Sequence, residues 1–427
     1  MFTSNEEVAV FFDHRKRLGI KPGLDRINRL LQLLDNPQDK INAIHVAGTN
    51  GKGSTINFLK NALIYNGYKV GVFASPSLDG LTGHIICNDE KIRDDEFLAL
   101  LNSIYPAIQI LDGSQNHPTE FEIITVLAFI YFANHVDIAL IETGMGGRED
   151  TTNCFQPIVS IITNIDKDHT SFLGETINEI AYHKAGIIKK NVPAIIGEVT
   201  DDAYSVIFQE ASLNDAPIFR LYDNFNYADI EQTNKLQTFK WFEEEKAPFE
   251  IITKMQGEHQ VKNSSVAMMA LVLLKKQGCS IDWSKSLAGI AATVIPGRFE
   301  EIYVNPTIIL DGAHNPAGIQ SFLKTVHSNY DHTEKHLIFA AFKDKDLEQM
   351  LRQLSPHFST VTLTSFKHPR SASVEDLSLL IGGDKKYAIC DWENIVSKII
   401  KKPRENNDSY FFTGSLHFIA EIRRFLQ

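Results

Sequence analysis

Ile44-His45-Val46-Ala47-Gly48-Thr49-Asn50-Gly51-Lys52-Gly53-Ser54-Thr55 is the stretch that decides the fold. An apolar run ends at Ala47, glycines follow, and a segment with Ile56, Leu59 and Leu63 on one side then begins. The pattern predicts a strand over Asn42 to Ala47, a tight loop, and a helix over Gly51 to Tyr65. Backbone N–H groups and the dipole at such a helix start hold phosphate oxygens, and glycines let the backbone come close. Lys52 offers a point charge to β and γ phosphates, and Ser54 or Thr55 a hydroxyl. The strict G-x-x-x-x-G-K-[ST] spacing is not met, because Val46 stands at the first Gly position and Gly53 follows the lysine. A glycine-rich turn that binds nothing is the bland alternative. Against it, a lysine between Gly51 and Gly53 at a helix N-terminus opposes the macrodipole and calls for a bound anion.

Outward from this loop, short apolar strands alternate with amphipathic helices from about Ile41 to Val199 and again from Thr307 to the end, as in βαβ units. Val70 to Phe73, Asp137 to Ile141 and Ile158 to Thr163 read as further strands of the first sheet. Leu221 to Thr253 turns aromatic and alternating, predicting antiparallel hairpins appended to that sheet. A helix follows from about His259 to Lys276. Pro296 and Gly297, within Val294 to Phe299, mark a hinge between domains. The expected fold class is α/β: an N-terminal P-loop ATPase domain (residues 1–295) with a mostly parallel sheet, and a smaller C-terminal Rossmann-like α/β domain (residues 296–427).

Composition narrows the function classes. The chain of 427 residues is 43% hydrophobic, enough for large cores, and carries a formal net charge of −11. That charge argues against a nucleic-acid surface, which needs clustered Lys and Arg. The basic cluster Lys398, Lys401, Lys402 and Arg404 reads as a solvated helix end. Ile123 to Ala133, the most apolar segment, is about half the length of a membrane span and reads as a buried helix. The start lacks a signal peptide's basic and apolar regions. Cys87, Cys154, Cys279 and Cys390 are widely spaced, so neither a zinc site nor a disulfide framework is expected. The expectation is a cytoplasmic protein, working as a monomer, with no membrane partner.

Glu142 follows the strand Asp137 to Ile141 and opens Glu142-Thr143-Gly144-Met145-Gly146-Gly147-Arg148-Glu149-Asp150. His169 follows the strand Ile158 to Thr163 in the same way. Both sit at carboxyl ends of predicted parallel strands, where α/β sheets place ligands. An oxygen ligand and an imidazole beside a triphosphate suit Mg²⁺ or Mn²⁺ bridging phosphate oxygens; for either residue alone, solvation at a loop end is the simpler account. Lys184 falls in a helix that begins with a Thr176/Glu179 capping box, and helix geometry alone makes it a surface lysine.

The segments HVAGTNGKGS, ETGMGGREDTTN, DKDHTSFLG, HKAGI, PGRFE and DGAHNP, in this order, resemble the folylpolyglutamate and dihydrofolate synthases of the Mur ligase superfamily, over about Asn42 to Phe418. The resemblance implies a three-layer ATPase domain followed by a Rossmann-like glutamate ligase domain, with the active site in the cleft between them. It implies ATP contacts from Thr49, Asn50, Gly51, Lys52, Gly53 and Ser54, and from Asn263, Arg298, Asp311 and His314. Ser75, Glu142, His169 and Lys184 match the family's magnesium site, Lys184 being the lysine often carbamylated there. A CO₂ adduct would give Mg²⁺ an anionic oxygen pair where an ammonium would repel it. Lys52, His169 and Lys184 are the catalytic candidates, and Glu149, Asp150 and Thr151 the substrate-binding ones.

The sequence departs from the family pattern at Ser77 after Ser75-Pro76, at Gly83-His84, at His183 where Glu is common, and at Glu149 where Leu is frequent. The implied reaction is ATP-dependent: phosphorylation of a folate or dihydropteroate carboxylate gives an acyl phosphate, which the amine of L-glutamate then attacks. Two other readings compete. A Mur-type ligase for a cell-wall nucleotide precursor would carry a UDP-binding domain first, and only 44 residues precede His45. A non-catalytic nucleotide-binding switch is the other.

Overall fold

A computed structural model describes every residue except 234, 244–246, 381–386 and 402–407; side chains at 233 and 387–389 are also left aside. Lys402 and Arg404 of the basic cluster therefore lie outside the described residues, while Lys398 and Lys401 are exposed at the end of helix Trp392–Ile400. The chain forms two compact units. The first comprises Met1–Glu231, Thr238–Thr253 and Val261–Thr293; the second, Gln232–Gln237, Lys254–Gln260 and Val294–Gln427.

The first unit is built on eight strands: β1 (Ala43–Ala47), β2 (Val70–Phe73), β3 (Ile85–Cys87), β4 (Glu90–Lys91), β5 (Ile138–Glu142), β6 (Val159–Asn164), β7 (Ala194–Glu198) and β8 (Ile218–Arg220). Their order is β4-β3-β2-β5-β1-β6-β7-β8. From β2 to β8 neighbours run parallel; β3 and β4 add an antiparallel edge that the sequence reading did not contain. β1 is buried along its whole length, as a central parallel strand covered on both faces must be. Helix Lys52–Tyr65 buries Ile56, Leu59 and Leu63, the predicted inward positions. The apolar segment around Ile123 to Ala133 lies in helix Glu120–His135, eight of whose residues pack in the core cluster with Phe73 of β2 and Ile141 of β5.

The aromatic stretch forms three strands, β9 (Phe225–Thr233), β10 (Leu236–Glu243) and β11 (Phe249–Thr253). They make a separate sheet in the order β11-β10-β9 and do not extend the large one. Alternation gave the strands, but which edge they pair with depends on contacts distant in sequence.

The second unit has a six-stranded sheet of β12 (Glu300–Val304), β13 (Thr307–Leu310), β14 (Glu334–Phe339), β15 (Thr360–Leu363), β16 (Tyr387–Ile389) and β17 (Asp408–Thr413). Its order is β12-β13-β17-β14-β15-β16, parallel except for the β12/β13 hairpin. Apolar clusters on both faces account for its core. Among the described residues, no helix is long and apolar enough to cross a membrane.

Candidate active site

Because β2, β5, β1 and β6 are adjacent and parallel, the segments leaving their carboxyl ends share one edge of the sheet. Those segments carry Ser75, Glu142, the glycine-rich loop and His169. Gly51 is the N-cap of helix Lys52–Tyr65 at φ 84°, the left-handed region, and a Cβ there would run into Asn263 Oδ1. Helix Glu258–Lys276 thus brings Asn263 directly against the loop.

The loop is held by the end of β6. Thr163 Oγ1 donates to Asn50 O at 2.6 Å, and Asn50 N donates to Asn164 Oδ1 at 2.7 Å. Thr49 N donates to Asn164 O, and Thr49 Oγ1 exchanges hydrogen bonds with the backbone of Asp166. These bonds fix the backbone of the loop against the end of β6. Lys52 folds back over the loop, Nζ donating to Gly48 O at 3.0 Å and lying 3.9 Å from Glu142 Oε1.

Glu142 is buried, not solvated at a loop end, since register pairs it with Val46 of β1. Nearby hydroxyls of Thr143 and, at the helix start, Thr55 are buried without a hydrogen-bond partner among the described residues. His169 is half exposed, at φ 52°, with its backbone N–H donating to Asp168 Oδ1. Ser75, after β2, is half-buried and precedes a cis proline. His84 of the divergent segment holds the end of β2 through Nδ1 and Ala74 O, 2.8 Å apart.

Lys184 overturns the helix-geometry expectation. Its helix, Ile177–Ala185, does begin with the Thr176/Glu179 capping box, but Lys184 is only 3% exposed. Segment 144–153 wraps the end of this helix: Arg148 N donates to His183 O, and Asn153 Nδ2 donates to Arg148 O and Gly186 O. Gly147 has no room for a Cβ against His183 O, nor Gly186 against Arg148, so the glycines of the motif permit the approach that buries Lys184. Burial, then the nearby Lys52 ammonium, lowers the Lys184 pKa to about 7, with Asp168, Asp150 and Asp166 acting the other way. Burial likewise pushes Asp166 up to about 6, helped by Glu198.

Asp150 turns into its own loop. Its carboxylate accepts from Met145 N at 2.7 Å, Thr152 N at 3.0 Å and Thr152 Oγ1 at 2.5 Å, while burial raises its pKa against these bonds. Glu149 is exposed and Thr151 half-buried.

In the second unit, Asp311 follows β13 and is buried. It accepts from Phe299 N at 2.9 Å and Ala313 N at 2.8 Å, tying segment 297–299 to the DGAHNP turn. Burial raises its pKa and the Arg298 guanidinium opposes this. His314 Nδ1 lies 2.9 Å from Gly312 O, and Asn315 caps helix Pro316–Tyr330. The structure thus groups the predicted residues Thr49 to Ser54, Glu142, Lys184 and Asn263 in the first unit, and Arg298, Asp311 and His314 in the second.

The Mur ligase middle domain matches residues 46–271, and the Mur ligase glutamate ligase domain matches residues 297–416. A Bacillus subtilis dihydrofolate synthase/folylpolyglutamate synthase is 36% identical over all of both chains. The chain belongs to the folylpolyglutamate and dihydrofolate synthase family of Mur ligases. Among solved structures, Mycobacterium tuberculosis folylpolyglutamate synthase complexed with ADP and AMPPCP superposes with a TM-score of 0.89 at 28% identity, covering 99% of this chain and 98% of that one. E. coli FolC in complex with DHPP and ADP superposes at 0.85 with 25% identity, covering 98% and 97%.

Within this Mur ligase, the sequence reading missed Thr163, Asn164 and Asp166 as the brace of the phosphate loop. Thr163 and Asn164 end β6 and Asp166 follows it, and only the strand order sets β6 beside β1.

Proposed function

We propose that this Mur ligase uses ATP to join L-glutamate to reduced folates, and also to dihydropteroate, through an acyl phosphate. The single observation that carries the reading is the braced phosphate loop, with Lys52 poised between it and the buried Glu142. In the reaction, a carboxylate oxygen of the acceptor attacks the γ-phosphorus and ADP leaves. The glutamate amine then attacks the acyl carbon, phosphate leaves, and an amide forms as the amine proton is released. Lys52 and the loop amides offset charge on the transferring group, so positioning and electrostatics supply the rate rather than a protein nucleophile.

Asn263, Arg298, Asp311 and His314 complete the proposed nucleotide contacts, with Asp311 holding the Arg298 segment in place. Glu149, Asp150 and Thr151 face the acceptor, with Asp150 also bracing their segment. Buried Glu142, the unpartnered Thr143 hydroxyl and an oxygen-rich loop edge suit Mg²⁺, with Ser75 and His169 completing its ligands. Bound there, Mg²⁺ would neutralise β- and γ-phosphate charge. A Lys184 pKa of about 7 leaves much of its amine neutral, the form that adds to CO₂ with loss of a proton; the resulting carbamate would face the metal as an anion. The same reading has the enzyme working as a cytoplasmic monomer.

Phosphate release from the purified chain with MgATP and L-glutamate, with either dihydropteroate or tetrahydrofolate as acceptor, tests this. Release with both is expected, and Lys52→Ala should abolish it without unfolding the chain. Hydrolysis independent of acceptor and glutamate would favour a nucleotide switch instead.

A further inference from the structure

At the amino edge of the second sheet, Glu334, His336 and Asp408 bring three ligating atoms within 4.8 Å of one another. Glu334 and Asp408 are the first residues of β14 and β17 and pair in register; His336 pairs with Tyr410 on one side and Thr360 on the other. Since residues two apart on a strand and residues paired across strands share a face, all five side chains emerge on one side of the sheet. The carboxyl edge, marked by Phe339 and Thr413, is five residues further on, about 17 Å at the usual strand rise. The cluster is therefore separate from Asp311 and His314.

The arrangement is held by its neighbours. His336 Nδ1 lies 2.8 Å from Thr360 Oγ1, and the imidazole stacks on the Tyr410 ring, centroids 4.9 Å apart at 20°. Tyr410 OH donates to Asp408 Oδ2 at 3.1 Å. In the tautomer with Nδ1–H donating to Thr360 Oγ1, Nε2 keeps its lone pair for a cation; it lies 3.8 Å from Asp408 Oδ2. Metal-bound histidines are oriented in this way, the second nitrogen bonded to an oxygen and a ligating carboxylate held by a hydroxyl. A tetrahedral edge for bonds of about 2.1 Å is about 3.4 Å, so a small side-chain rotation closes the set.

We propose that Glu334, His336 and Asp408 form an accessory site for a first-row divalent transition metal, Zn²⁺ in the first instance, linking β14 to β17. The imidazole sets its selectivity: Mg²⁺ and Ca²⁺ take oxygen ligands, while a mixed nitrogen and oxygen set with water in the open positions suits Zn²⁺.

The test is calorimetric titration of ZnCl₂ into the full-length, EDTA-stripped chain in excess Mg²⁺. Wild type should take up one equivalent that Mg²⁺ does not displace and that raises its unfolding temperature. His336→Gln should lose that equivalent, and Thr360→Val should keep it with affinity weaker by about 10- to 100-fold. Should His336→Gln fail to fold, Asp408→Asn replaces it. Glu142→Gln should retain the equivalent; its loss there would move the zinc to the phosphate-loop edge and overturn the assignment. Uptake by His336→Gln equal to wild type, or none by wild type, would overturn it too, and neither result bears on the ligase reading.

Discussion

Replacing Lys184 by Met should stabilise the protein while abolishing its activity, and the stabilisation should depend on pH in a defined way. The folded chain holds the amine at a pKa of about 7 against 10.5 for a free lysine. At ~1.36 kcal/mol per pH unit, protonation in the folded state costs roughly 5 kcal/mol as an upper bound. Relaxation around the buried charge leaves several kcal/mol of that. Below pH 7 wild type bears the whole cost. Between pH 7 and 10.5 the unfolded chain holds a proton that the folded chain has released, so wild-type stability rises with pH and the penalty fades. Methionine has a similar volume and no charge, so the variant lacks this slope. Urea unfolding of both proteins in CO₂-free buffer from pH 6 to pH 10.5 reads it directly. The variant's advantage should be largest at pH 6 and nearly gone at pH 10.5. An advantage that does not change with pH, or a destabilised variant at pH 6, would refute the claim that desolvation and Lys52 depress this lysine.

Three further outcomes are expected. Thr163→Val keeps the side-chain volume but removes the hydroxyl bonded to Asn50 O, at about 1–2 kcal/mol; ATP affinity by calorimetry should fall roughly tenfold with the fold unchanged. Gly51→Ala forces an alanine into φ 84° and its Cβ against Asn263, so nucleotide affinity should fall by at least the ~1–2 kcal/mol of the backbone term. Asp311→Ala leaves the N–H groups of Phe299 and Ala313 without their acceptor, and urea unfolding should show a loss of about 1–3 kcal/mol per buried donor.

The sequence by itself determined the local pieces. Apolar runs and glycine placement located β1, the phosphate loop and its helix, and the Thr176/Glu179 capping box, because these depend on residues a few positions apart. The motif order identified the family and nominated Glu142, Lys184, Asn263, Arg298 and Asp311. Tertiary structure alone decided what those residues experience. Helix periodicity placed Lys184 at the surface, and only the wrapping of segment 144–153 buries it and lowers its pKa. The motif put Asp150 in the acceptor-binding segment, but only the fold shows its carboxylate also bonded to Met145 and Thr152 of its own loop. Thr163 and Asn164 brace the phosphate loop only because β6 lies beside β1, and Glu334, His336 and Asp408 meet only because β14 lies beside β17. Strand order, burial and convergent side chains arise from contacts between residues distant in sequence, and neither periodicity nor motif spacing encodes them.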